Sequence, residues 1–454
     1  MKNSRRVFIK QTSLLGAGAL IAKSGFSASS YNRIIGANDR VRVGVVGFSD
    51  RHRGSHVPCF MNHAKEMNFD VVAVSDIWNK RREAGSALWK EKMGHDVVAC
   101  RNNEEMYSKK LVDAVFVSTA DFQHALHAME AVNNGCDVYC EKPFAETMAD
   151  NRAAFKAIKA SNKIVQIGSQ RRSGTNYHAA DEFIKSGKFG PITMVELTWN
   201  VNQPGRWRRV ADVAQLKESD TDWKRYLMNR PQVPFDPRKY LEFRLFWPYS
   251  SGLSGQWMSH QIDTVNWFSG LKNPRSVVAN GGIYKWKDGR KNWDTVTAVF
   301  DYGPADDKTS GFQVTFASRM HNGDDDPKEI YYSNGGTLDL STNKVSPLGG
   351  LTAKNATMGT KENRLAQLNL PLTEKVVTSA NTGGDTLTSN HIRNWMECVR
   401  SRKTPNAPVE AGYSHSIATI MTNAAVQSGL KVTFDEKTQE VMAGGKPFQP
   451  FHQY

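Results

Sequence analysis

The chain has 454 residues, enough for two domains with sizeable cores, and 39% hydrophobic with 23% charged residues is the composition of a globular protein. Its formal net charge of +14 is not gathered into a long Lys/Arg run. No nucleic-acid-binding module is visible, so the excess reads as solvated surface and argues against a nucleic-acid partner.

In chain order, the N-terminus comes first. Ser4-Arg5-Arg6-Val7-Phe8-Ile9-Lys10 resembles a bacterial twin-arginine export signal. A moderately apolar stretch from Leu14 to Ala22 follows, then small residues at Ser27-Ala28. This stretch is too short to span a bilayer and fits a cleaved leader over residues 1–30. No cysteine follows it to carry a lipid. The expectation is a periplasmic protein, exported folded, with no stable membrane anchor. The five cysteines, Cys59, Cys100, Cys136, Cys140 and Cys398, form no Cys-x-x-Cys pair and read as free buried thiols.

From residue 40, apolar runs alternate with helical periodicity. Strands are expected at 41–46, 69–75, 113–118, 137–140 and 163–168. Helices are expected at 55–67, 79–92, 124–134 and 147–160, the last capped by Thr147. This alternation predicts a doubly wound parallel sheet over residues 36–168. Beyond about residue 190 the pattern becomes that of an antiparallel sheet, with strands at 192–201, 276–279, 295–302, 311–317 and 329–333. Helices are expected at about 253–269 and 387–401. Residues 169–454 thus read as an α+β domain. Residues 202–250 hold five prolines and no clear period, which marks a long functional or packing excursion.

Three turns of the first domain carry the chemistry. Gly47-Phe48-Ser49 joins the first strand to a helix, where backbone amides meet a pyrophosphate. It departs from G-x-G-x-x-G: Ser49 stands at the second glycine, and His52 at the third unless Gly54 serves after a lengthened turn. Asp76 ends the next strand, where an acid binds ribose hydroxyls and repels a 2′-phosphate. That favours NAD over NADP, although Arg81 and Arg82 are near. Thr119, Asp121 and His124 lie on the loop leaving the strand at 113–118. Glu141-Lys142-Pro143 follows the strand at 137–140, so that Lys142 stands at the carboxyl edge of the sheet, where ligands bind.

In this order, the glycine turn, Asp76, the Thr119–His124 loop and Glu141-Lys142-Pro143 resemble the Gfo/Idh/MocA oxidoreductases. Gly168-Ser169-Gln170-Arg171-Arg172, His391-Ile392-Arg393-Asn394-Trp395 and Pro408-Val409-Glu410-Ala411-Gly412 are similar to later segments of that family. The resemblance implies a Rossmann domain and an open-sheet domain used for oligomer contacts, hence a dimer or tetramer. It also implies a nicotinamide cofactor and a sugar or polyol substrate. Cofactor contacts then fall to Gly47, Phe48, Ser49, Asp76, Thr119, Asp121, His124, Glu141, Lys142 and Gln170. Substrate contacts fall to Arg171, Arg172, Gln256 and Asp263. His260 matches a catalytic histidine of the family. Gln256, four residues earlier, stands where many relatives carry an acid. No metal is expected, since Asp324-Asp325-Asp326 reads as a solvated acidic loop.

The function expected is hydride transfer from a secondary hydroxyl of a sugar or glycoside, with Lys142 and His260 catalytic. His260 is favoured as base, with Lys142 stabilising the alkoxide; the reverse assignment stays open because Gln256 cannot titrate. Outside the cytoplasm a dissociable cofactor would be lost, so a tightly held one is expected. The alternatives are an NAD-dependent glycosidase working by transient ring oxidation, and a sugar-binding relative without chemistry. The tryptophans clustered at Trp199, Trp207, Trp223, Trp247, Trp257 and Trp267 are read either as a sugar-stacking supply or as packing.

Overall fold

The computed structural model describes residues 40–324, 327–371 and 384–450. The expected leader, the first residues of the nucleotide-binding domain, and Asp325-Asp326 lie outside them. The first sheet has strands β1 (Val41–Val46), β2 (Phe69–Ser75), β3 (Val98–Cys100), β4 (Ala114–Val117), β5 (Asp137–Cys140) and β6 (Val165–Ile167). Their spatial order is β3-β2-β1-β4-β5-β6, and the pairs β2–β3, β1–β4, β4–β5 and β5–β6 are parallel. This is the doubly wound order whose strand ends open onto a dinucleotide site. The edge strand β3 and the helix Asn103–Ser108 have no counterpart in the sequence reading. Both are short, and two of the three β3 residues are exposed, so no apolar run announces the strand.

The helix after β1 begins earlier than its periodicity suggests. It is helical from Asp50, passes through a π turn at His52–His56, and continues as Val57–Met61. Pro58 has no N–H to offer the carbonyl four residues back, and the widened turn precedes it. Gly54 therefore does not serve as the third glycine: nothing approaches the position of a Cβ there. The helix Met148–Ala160 is capped as expected, with Thr147 Oγ1 accepting from the Asp150 amide.

The second sheet has eleven strands among the described residues. At its centre, Phe312–Arg319 pairs antiparallel with Thr295–Tyr302 and parallel with Met194–Thr198. The strand expected as antiparallel at 192–201 is thus parallel to one neighbour and antiparallel only to Glu329–Ser333. The long stretch between Thr198 and Phe312 lets the chain cross over and return in the same direction. One face of this sheet is buried under the helices Thr175–Lys185, Ser259–Ser269 and Val409–Ser428, with Val195, Leu197, Ile262, Val314, Phe316, Ile417 and Met421 in the shared core. The helix Thr386–Ser401 packs instead on the first sheet. Its Trp395 is fully buried and contacts Phe69, Phe116 and Tyr139. Part of the 169–454 segment is thereby spent on the first domain.

The aperiodic excursion of residues 202–250 folds into short helices, including Val210–Gln215, Trp223–Leu227 and Pro237–Leu241. Its start stays with the second sheet, Asn202 bridging His321 and Trp207 packing on that core, and its later part leaves it. Trp223, Tyr226, Leu227, Leu245, Phe246 and Tyr249 form a cluster with Ala120 and Phe122 of the loop after β4. Phe122 is fully buried, its ring centroid 5.4 Å from Tyr226 and 5.5 Å from Tyr249. Removing that ring leaves a cavity at the only aromatic side chain the loop supplies. Phe122→Ala should cost about 3–5 kcal/mol and speed proteolytic cutting within residues 202–250. Unchanged urea midpoints and cutting rates would contradict this role.

Candidate functional site

A cavity of about 680 Å³ lies at the carboxyl ends of the β strands of the first sheet, within the usual range for a small-molecule site. Its floor is built from the turns after β1, β2, β4 and β5. Gly47 takes φ +83°, and a Cβ there would meet Thr119 Cγ2 at 2.6 Å. Only glycine lets these two turns approach so closely. Ser49 replaces the second glycine of the usual pattern and finds a different use, its Oγ accepting from the His52 amide at 3.2 Å. Asp76 lines the cavity, with one oxygen accepting from the Phe48 amide (2.8 Å) and the other from the Trp78 amide (2.9 Å). Burial pushes its pKa up, opposed by those two amides and Arg81. Arg81 donates to the Phe48 carbonyl and Arg82 to the Asp76 carbonyl. Both arginines are thus engaged in shaping the turn.

These features fit a dinucleotide. The glycine turn leaves no side chain in the cradle, the buried Thr119 Oγ1 has no protein partner, and an acid stands at the end of β2. Phe48 itself does not line the cavity: its ring turns inward, against the position of Gly85. His124 lines it but ties the walls together, its ring nitrogens 2.8 Å from Pro143 O and 3.3 Å from Thr119 O.

The turn after β5 is held by an elaborate set of contacts. Glu141 is buried, and its Oε1 accepts from Arg51 Nε (2.9 Å), lies 2.8 Å from His56 Nε2, and accepts from Gln170 Nε2 (3.3 Å). Behind it, Trp89 Nε1 donates to His52 Nε2 at 3.2 Å, and His52 Nδ1 lies 3.3 Å from His56 Nδ1. Each imidazole is satisfied as a neutral tautomer, donating forward and accepting from behind. Burial lowers the pKa of both. Burial alone would raise Glu141, but the Arg51 charge and His56 outweigh it and hold the carboxylate well below its usual range. Neither Arg51 nor His56 was singled out from the sequence. The signal available was the need of a buried acid for a cation, and it does not say which one.

Lys142 lines the cavity and donates from Nζ to the Gln256 carbonyl at 2.8 Å. Burial lowers its pKa to about 8, against the pull of Glu141 and Asp121. Gln256 lies in a second π turn, Ser254–Met258, which runs into the helix Ser259–Ser269 carrying His260. Such single-turn widenings recur at functional sites. The His260 ring stacks on Trp199, centroids 6.0 Å apart, and Trp257 stacks on the same indole at 6.0 Å. His260 makes no side-chain hydrogen bond among the described residues, and burial, then Lys142 and Arg171, push its pKa well below 6.5.

Not every expected contact lies in the cavity. Asp121 is fully buried behind it, accepting from Gln256 Nε2 (2.5 Å) and Ser250 Oγ (2.6 Å). It therefore acts on the site through Gln256. Arg172 and Asp263 pair with each other, 2.7 and 2.9 Å apart, away from the cavity. This bidentate pair leaves Asp263 no hydrogen bond to His260. Arg171 does reach the cavity, but as the partner of the buried Glu329. Gln170 lines it with its amide nitrogen turned to Glu141. The excursion supplies a wall that the sequence did not assign residue by residue, with Arg206, Trp207, Arg209, Tyr226, Tyr240 and Arg244 among its members. Among the described residues no cluster is suited to hold a metal ion, and all five cysteines are free and buried.

Residues 41–169 match a family model, GFO_IDH_MocA, described as an oxidoreductase family with an NAD-binding Rossmann fold. An inositol 2-dehydrogenase from Rubrobacter xylanophilus is 29% identical over 184 residues, covering 39% of this chain and 46% of that protein. One from Salmonella typhimurium is 26% identical over 213 residues, covering 46% of this chain and 60% of that protein. The chain thus matches about half the length of these curated relatives. Among solved structures, the WlbA dehydrogenase from Bordetella pertussis, in complex with NADH and UDP-GlcNAcA, superposes with a TM-score of 0.62 at 16% identity, over 87% of this chain and 99% of that one. A levoglucosan dehydrogenase in complex with NADH and levoglucosan gives 0.60 at 13% identity, over 87% and 99%. At these identities the likeness is one of fold.

The buried imidazoles make an acid-sensitive molecule. His391 and His415 are both pushed down to about 4 by burial, whereas in the unfolded chain they titrate near 6.5. Between those values the unfolded state binds more protons. The stability they allow is full above about pH 6.5 and is lost as pH falls toward 4, by about 3 kcal/mol for each. Glu141, with its depressed pKa, adds loss only at lower pH. Urea midpoints should stay nearly level from pH 7.5 to about 6.5 and fall from there toward pH 4.5, and a flat profile over that lower range would show that these rings are not buried as neutral groups.

Proposed function

We propose that this chain, whose residues 41–169 match the Gfo/Idh/MocA model, is an oxidoreductase of that family and oxidises a secondary hydroxyl of a sugar or glycoside with NAD. The observation that carries the reading is one cavity lined by the glycine turn, Asp76, Lys142, Gln256 and His260. A nicotinamide ring bound there supplies the hydride acceptor while the alcohol becomes a ketone. The chain's own residues handle the proton. Lys142, with a pKa near 8, is poised to take the hydroxyl proton on Nζ near neutral pH. His260, so depressed that its imidazolium is disfavoured, serves better as a neutral hydrogen-bonding partner that orients the hydroxyl. This reverses the assignment favoured from sequence. Asp121 draws the amide nitrogen of Gln256 toward itself, which leaves the amide oxygen to accept from a substrate hydroxyl.

Asp76 at the ribose position favours NAD over NADP. Relatives named inositol 2-dehydrogenase support a polyol or sugar as substrate, and the indoles of Trp199, Trp207 and Trp257 offer faces for it. The twin-arginine motif supports export to the periplasm with the cofactor loaded beforehand and retained. Export also favours a second reading, an NAD-dependent glycosidase that oxidises the ring, eliminates the aglycone and reduces again, because the cofactor then ends unchanged. The half-exposed outer face of the second sheet, with Val299, Thr315 and Tyr332, supports assembly as a homo-oligomer.

Protein purified and then denatured should release NAD. A preparation that neither carries nor binds NAD would sink both enzymatic readings. Incubation with a panel of aryl glycosides separates them: a keto-glycoside marks the dehydrogenase, free aglycone the glycosidase, and neither product a binding protein. Lys142→Ala and His260→Ala should each lower turnover at least about a hundredfold without changing the circular dichroism. Near-parental turnover in both would exclude the mechanism. Because the neutral lysine is the base, turnover should rise with pH through about 8. Asp121→Asn removes a negative charge near Nζ and should move that limb to lower pH; an unmoved limb would remove Asp121 from the proton chemistry.

A further inference from the structure

Arg244 sits in the short 3₁₀ turn Phe243–Leu245 of the excursion and lines the cavity. Its guanidinium lies 4.5 Å from the centroid of the Phe243 ring. Its Nε is buried with no hydrogen-bond partner, and among the described residues it forms no ion pair. Its neighbours differ. Arg51 is matched by Glu141, Arg81 and Arg209 by Asp50, Arg171 by Glu329, and Arg225 by Glu104 and Asp222.

The charges around Arg244 do not balance. Lys142 and Arg209 both act on it or feel it as like charges, and Arg206 is pushed down to about 10 by burial and by Arg244. The acids in electrostatic reach are Asp121, Asp50 and Glu141. Asp50 and Glu141 are already committed to their own arginines. Asp121 remains, a single negative charge facing both Lys142 and Arg244. Glu146, buried beside it, is pushed up to about 8 by burial and by Asp121, so near neutral pH it adds no charge. The wall holds more cations than acids, Asp50 alone serving Arg53, Arg81 and Arg209, and Arg244 forms no ion pair among the described residues; an uncompensated charge in a low-dielectric cavity is costly until an anion meets it.

The charge of Arg244 is felt at both ends of the cavity, by Asp50 and Arg209 beside the glycine turn and by Lys142 beside Gln256. Arg244 lowers the proton affinity of both Lys142 and Arg206, and Arg206 lies 4.9 Å over Trp257, the neighbour of Gln256. Resting on the reading above, we propose that Arg244 receives a carboxylate carried by the substrate, and that the substrate class is therefore acidic sugars: uronates, aldonates or their glycosides. A planar guanidinium pairs a carboxylate through two parallel N–H donors, and the Phe243 ring beneath it holds the plane.

The cofactor's pyrophosphate is the other anion that would answer to this charge, and the test separates the two. Trp199, Trp207 and Trp257 line the cavity and report binding through their fluorescence. In the NAD-loaded protein, at least one of D-glucuronate, D-galacturonate and D-gluconate should bind about tenfold more tightly than its neutral counterpart, D-glucose, D-galactose or D-glucitol. Arg244→Gln should abolish that preference while leaving affinity for NAD and the neutral sugars within about twofold. Arg244→Lys, which keeps the charge but loses the fork, should retain part of it and serves if the glutamine variant folds poorly. Equal affinities for acid and neutral sugars in the parent, or no binding of any acid, overturn the proposal. A loss of NAD affinity in Arg244→Gln also overturns it, by giving the arginine to the pyrophosphate. Acid preference without turnover would keep this inference and sink the dehydrogenase reading instead.

Discussion

The site depends on one buried carboxylate. Glu141 gathers Arg51 and His56 from the helix after β1, Gln170 from the start of the second domain, and the amide of Lys142 beside it. An ionised acid so far from water persists only because these donors converge on it. Their convergence fixes the turn that aims Lys142 at the cavity. Even the glycine at 168 is explained by it, since a Cβ there would come within 2.8 Å of Glu141 Oε2. Sheet, first helix, the turn bearing Lys142 and the domain junction are thus built around one charge.

The second dependency runs between the domains. The polar lining of the cavity is split: Lys142 belongs to the first sheet, and Gln256 and His260 belong to a helix of the second domain. The contact from Lys142 Nζ to the Gln256 carbonyl and the hydrogen bond from Gln256 to Asp121 cross that boundary. The aromatic excursion crosses it again, Trp207 packing on the core of the second sheet and Trp223 to Tyr249 on the loop after β4. Neither domain carries a complete site alone.

Much of this was legible beforehand. Five of the six strands of the first sheet follow from apolar runs, because a parallel strand is buried on both faces and its sequence shows it. The Asp76 and Lys142 positions follow from where those runs end. What stayed hidden was long-range pairing. Nothing near Arg172 or Asp263 says that they would neutralise each other rather than meet a substrate. Nothing near Asp121 says that it would be covered by Gln256. The excursion of residues 202–250 was recognisable as unusual, but its partner was not, since aromatic side chains without a period do not reveal which surface they bury.

The π turn at Ser254–Met258 has a consequence for how this site tolerates change. A π turn is an α-helix carrying one surplus residue. Deleting one residue between Leu253 and Ser259 would yield a regular helix, unstrained and fully hydrogen-bonded. Yet it would rotate everything on its N-terminal side by about 100° relative to His260. The amide now held by Asp121 and the carbonyl now held by Lys142 would face other directions. Helical regularity and the geometry of the candidate site are opposed at this one turn, so the shortest change that improves the helix dismantles that geometry.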